Sequence, residues 1–167
     1  MRRAFDTALS HWLAVALAAS LAILAIVHGF ETFGRLPPCA LCLKEREVYW
    51  VAAALAAAGL LIARARPGRR RLACGLLAVV FLFGAGLAAY HAGAEWKFWP
   101  GPASCSGGAG RVSPADIAEL LGGGHVAPSC ETPAWVFLGL SMAGWNVLVS
   151  LILASLSAAA ARRRTAP

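Results

Sequence analysis

Long apolar runs alternate with short polar stretches along this chain. Four runs approach the roughly 20 apolar residues needed to cross a hydrocarbon core as helix, at about 12–30, 48–63, 72–90 and 133–160. The second is short and alanine-rich. Its flanks are charged, Lys44 to Glu47 before it and Arg64 and Arg66 after it, as suits a span whose ends lie among headgroups. The pattern predicts an all-α membrane protein, a four-transmembrane-helix bundle forming a single integral membrane domain over 1–167. Ala52 to Ala54 and Ala56 to Gly59 in the second span, and Gly75, Gly84 and Gly86 in the third, would let helices approach closely in lipid.

Arg2 and Arg3 stand ahead of an apolar stretch, as in a signal peptide. The run continues past Ala18-Ala19-Ser20, longer than a usual signal core, so a retained span is expected. Composition supports the membrane class, with 59% hydrophobic and 14% charged residues and a mean hydropathy of +0.67. The net charge of +7 does not point to nucleic acid, because the cations cluster at the ends of apolar runs. Ten of the fifteen lie in the N-terminal segment, the tight 64–71 turn and the C-terminal tail. The other two loops, about 31–47 and 91–132, hold five cations and seven acids. The positive-inside rule therefore puts both termini in the cytoplasm and these two loops outside.

Cys39, Cys42, Cys105 and Cys130 all fall in the two outward loops, where a bacterial periplasm would let disulfides persist. Cys74 lies in the third span and reads as a small packing residue. In Pro37-Pro38-Cys39-Ala40-Leu41-Cys42, the prolines stiffen the approach to a C-x-x-C pair at the membrane surface. A helix starting near Cys42 would set its sulfur beside unpaired backbone N–H groups, with Arg46 one turn on. Both effects predict a thiolate at Cys42.

The second outer loop opens on Trp96, Phe98 and Trp99, which suit an interfacial belt. Ser113 to Leu121 has an N-cap serine followed by proline, and predicts a short amphipathic helix in this periplasmic loop. Cys105 and Cys130 could staple the loop or exchange electrons with the C-x-x-C pair. A zinc site of all four cysteines and a non-catalytic stapled scaffold are the competing readings; the second pair lacks the close spacing of structural zinc sites. His28 reads as a polar residue at headgroup depth.

Four spans, Cys-Ala-Leu-Cys followed by Glu45-Arg46, two cysteines in a long second loop, and Trp135 to Asn146 together resemble the DsbB family of bacterial inner membranes. The resemblance covers nearly the whole chain. It implies an oxidoreductase that reoxidises a periplasmic DsbA-like thioredoxin-fold dithiol and passes the electrons to membrane quinone, with ubiquinone favoured over menaquinone and both left open. It implies catalytic roles for all four cysteines: Cys105 attacked by the partner's thiolate, Cys130 released to attack Cys39, and Cys42 left as the thiolate facing the quinone. Arg46, Cys42 and His91 are the cofactor-binding residues it implies, His91 the weakest, since an interfacial place would also explain it.

Overall fold

The computed structural model describes residues 2–102, 105 and 128–163; the helix expected at 113–121 lies outside them. Helix α1 spans Arg2–Ser10, α2 Trp12–Thr32, α3 Ala40–Ala65 and α4 Arg70–Glu95, the last preceded by a single 3-10 turn at Pro67–Arg69. A hairpin of β1 (Val136–Phe137) and β2 (Leu140–Ser141) leads into α5, Met142–Arg162. Four helices among the described residues are long and apolar enough to cross a membrane: α2, α3, α4 with its leading turn, and α5. This is the four-helix bundle that the hydropathy pattern predicts.

The bounds differ from the apolar runs in instructive ways. Helix α3 begins eight residues before its apolar run because Cys39 caps it, and the charged segment is helical too: exposed Lys44 and Glu47 pair at 3.0 Å one turn apart. Helix α4 continues to Glu95, which carries His91 inside the helix rather than into the loop. Its end closes by hydrogen bonds from Trp96 and Phe98 to Ala92 and Gly93, with Lys97 at a positive φ of 62°. Residues 133–141 are not part of the last helix. The two-residue turn Leu138-Gly139, with φ of 51° and 80°, closes the hairpin with Val136 opposite Ser141. Ser141 then caps α5, its hydroxyl accepting from the Gly144 N–H at 3.1 Å.

Neighbouring helices pack in the order α2, α3, α4, α5, with α4 against α5 the most extensive contact. Small residues hold the crossings: Ala16, Ala52, Ala56 and Ala88 are fully buried, with Leu77 and Phe81 filling the middle. A Cβ on Gly59 would stand 2.9 Å from that of Ala73, and one on Gly84 2.9 Å from Val48 Cγ1, so both mark close helix contacts. Leu61, Val79 and Phe83 point outward, as lipid requires. Cys74 is fully buried among the helices, matching its reading as a packing residue.

Candidate redox site

The site starts from a helix cap. Cys39 has extended backbone and its sulfur accepts the Cys42 N–H at 3.2 Å, using one of the donors that α3 leaves unpaired at its first turn. The two sulfurs lie 2.6 Å apart and both are free thiols. A disulfide is about 2.05 Å long, so the pair can close with little movement.

Opposite Cys39, the buried His91 brings Nε2 to 3.6 Å from Sγ. Its Nδ1 lies 2.7 Å from Glu45 Oε1, and Asn146 Nδ2 donates to Glu45 Oε2 at 2.6 Å. Tyr49 donates to Asn146 Oδ1 and lies 3.0 Å from Ser150 Oγ. A carboxylate only accepts, so this chain assigns the Nδ1 proton to His91 and turns Nε2 toward the sulfur. The arrangement is nucleophile, base and orienting acid in hydrogen-bond sequence.

The hydrogen bonds that meet at Cys39 also favour charge on that sulfur. The Cys39 thiol is held well below the usual thiol range, first by the hydrogen bond from the Cys42 thiol, against the opposing effect of burial, and then by His91 and the Cys42 amide. The sequence suggested Cys42 for that role, assisted by Arg46. Helix α3 begins at Ala40, two residues earlier than that reasoning assumed, so the sulfur at the cap is that of Cys39. The Arg46 guanidinium is taken by Glu31 of α2, at 2.5 Å.

The second pair is a disulfide, Cys105–Cys130, with Cα atoms 5.2 Å apart. Both sulfur residues are almost fully buried and pack in one cluster with Cys39 and Leu41, against Cys42 and Leu87. Glu131 ties the loop ends beside them, accepting from the Gly101 N–H at 2.9 Å and from Lys97 at 3.3 Å. Two of the four sulfurs that a four-thiolate zinc site would need are bonded to each other here. Cys39, Cys42 and His91 do present donor atoms within 4.8 Å of one another, one short of a tetrahedral set.

A cavity of about 390 Å³ opens beside Cys39 and Cys42. Its walls are mostly apolar, from Ile23, Val27 and Phe30 of α2 to Val149 of α5, with Trp135 and Phe137 stacked over it 5.6 Å apart. Arg46, His91, Glu45, Asn146 and Glu95 are among the polar groups on that wall. A flat ring with carbonyl acceptors and an apolar tail fits this chemistry: apolar walls with a few convergent polar groups, one of them a cation.

The structure thus brings together Cys39, Cys42, Cys105, Cys130 and His91, and puts Arg46 on the shared cavity. Sequence reasoning gave no role to Glu45, Tyr49, Glu95, Asn146 and Ser150. The signal available was polar side chains inside or at the ends of apolar spans. His28 bonds to the Leu24 carbonyl at 2.7 Å in its own helix, in keeping with the plain reading of it.

Comparison with known proteins points one way. The family model described as disulfide bond formation protein DsbB matches residues 9–160. A disulfide bond formation protein B 2 of Pseudomonas putida is 37% identical, over 82% of this chain and 81% of its own. A protein of the same name from Pseudomonas entomophila is 33% identical over 84% and 83%. Disulfide bond formation protein B of Dechloromonas aromatica is 30% identical over 83% of each. No solved structure gives a significant match.

Proposed function

The chain belongs to the DsbB family, as a multi-pass membrane oxidoreductase of disulfide bond formation, and from that premise we propose that it reoxidises a DsbA-like dithiol and delivers the electrons to quinone. The observation that carries this reading is the packing of both cysteine pairs into one buried cluster beside an apolar cavity. The membrane is the bacterial inner membrane, with both termini cytoplasmic and the cysteine loops periplasmic, as the charge distribution argues.

The soluble partner's thiolate attacks Cys105 Sγ and releases Cys130. With Cys39 and Cys42 closed as a disulfide, Cys130 attacks Cys39, the Cys39–Cys42 bond breaks, and Cys42 leaves as the thiolate. The partner's second thiol then displaces Cys105, and Cys105 closes again on Cys130, releasing Cys39. Thiol exchange is faster when the departing sulfur is a stable thiolate, and Cys39 has the cap and His91 to make it one. Two electrons have then moved from the partner to the Cys39/Cys42 pair. A quinone in the cavity supplies the two-electron, two-proton acceptor. Arg46 lines that cavity, where its charge favours negative charge developing on the acceptor, while Glu31 fixes its direction.

The test uses purified protein, a short-chain quinone and a reduced thioredoxin-fold dithiol, following quinone absorbance. Wild type should bleach the quinone and Cys42→Ser should not. A folded wild type that leaves the quinone unchanged would overturn the reading.

A further inference from the structure

Glu95 ends α4 one turn beyond His91, and its side chain is 5% exposed. Oε1 lies 3.9 Å from His91 Nε2, the nitrogen that faces Cys39. The other carboxyl oxygen, Oε2, is buried with no hydrogen-bond partner among the described residues, and the residue lines the cavity. A buried carboxyl oxygen without a partner is costly, and one inside a membrane span marks function more often than packing.

The second carboxylate at His91 is differently placed. Glu45 has both oxygens engaged, one by His91 Nδ1 and one by Asn146, so it is built to hold the ring still. Among the described residues, only Glu95 offers His91 Nε2 a carboxyl with an oxygen to spare. Electrons that enter the apolar cavity without protons would leave uncompensated charge in a low-dielectric site, a large cost. A route for protons is therefore part of the chemistry.

We propose that Glu95 carries a proton from the Cys39/Cys42 dithiol, by way of His91 Nε2, to the acceptor in the cavity. The inference rests on the quinone reading above. For each disulfide formed, two S–H bonds break, one S–S bond forms, and two electrons and two protons pass to the quinone, which is reduced to quinol. His91 takes the proton of Cys39 and hands it to Glu95, which delivers it. The proton of Cys42 passes to the same acceptor directly, since Cys42 lines the cavity itself.

Glu95→Gln keeps the shape and removes the acid, and Glu95→Asp keeps the acid one methylene short. Retained Cys105–Cys130 pairing and an unchanged Tm report the fold. Short-chain quinone reduction should fall about 10²-fold in Glu95→Gln, the scale of losing a general acid, with a larger solvent deuterium isotope effect and partial recovery in Glu95→Asp. In quinone-free protein, the infrared difference between the dithiol and disulfide forms should contain a carboxylic-acid signal that Glu95→Gln lacks. A Glu95→Gln protein that reduces quinone at the wild-type rate and keeps that signal would overturn the relay and leave the quinone reading standing. A folded wild type that reduces no quinone would overturn both.

Discussion

The two ends of the bundle use polar side chains in opposite ways. At the arginine end, Arg71 donates to the Ala161 carbonyl at 3.0 Å, Arg70 to the Leu9 carbonyl, and Arg163 pairs with Asp6. Each of these cations meets a backbone carbonyl or an exposed acid directly. Such pairs contribute little individually. At the cysteine end, the groups form a chain in which each orients the next: Tyr49 and Ser150 turn the Asn146 amide, Asn146 holds Glu45, Glu45 fixes His91, and His91 faces Cys39. Removing one link changes what the others can do. The same four helices thus end in interchangeable contacts on one side and in a linked network on the other.

Replacing one sulfur at each end tests that contrast most sharply. Cys39→Ser should lower quinone reduction by about 10³-fold or more, whereas Cys74→Ala should leave it intact; a folded but inactive Cys74→Ala protein would end the distinction. Next in size is the pH dependence of alkylation in the dithiol form. A thiol whose pKa is lowered stays ionised as pH falls, so the rate at Cys39 should stay nearly flat from about pH 8.5 to pH 6. An ordinary thiol with a pKa of about 8.5 would lose roughly 10²-fold over that interval, and such a loss at Cys39 would remove the case for its thiolate.

Asn146→Leu should slow quinone reduction by about tenfold, as expected for an outer orienting partner, and its effect should largely vanish in a Glu45→Gln background. Full additivity of the two would mean that they are not linked. Gly59→Leu is the counterpart at the arginine end. It should cost about 1–3 kcal/mol through overpacking against Ala73, with the activity of each folded molecule preserved.

The smallest effect belongs to Glu131. Its carboxyl is held below the usual range, first by the Gly101 N–H and then by Lys97. A depressed carboxylate contributes stability above its unfolded pKa and loses it as pH falls through the folded value. Loop protection, read by hydrogen exchange at Gly101, should therefore weaken in acid below about pH 4. Glu131→Gln should remove that dependence.

How much of this was legible in the sequence follows from the range of each interaction. The spans come from composition over some twenty neighbouring residues, and the cysteine and arginine ends from local charge. The hairpin at 136–141 hid inside an apolar run because Leu138-Gly139 reads as continued hydrophobicity. Helix α1 was missed because nine mixed residues carry no strong hydropathy signal. The start of α3 was misjudged because a cysteine is not an expected cap, and that error moved the thiolate from Cys39 to Cys42. The network was beyond reach for another reason: Glu45 and Asn146 are 101 residues apart, and no local spacing encodes their meeting.

That separation also sets a timetable for biosynthesis. Glu45 travels with the second span, its partner His91 follows 46 residues later, and Asn146 comes 101 residues after Glu45. At a synthesis rate of about 5–20 residues per second, the nascent chain waits roughly 5–20 s before the last partner leaves the ribosome. During that interval the second span holds an acid it cannot fully satisfy, so the last helix completes the insertion of the second as well as its own.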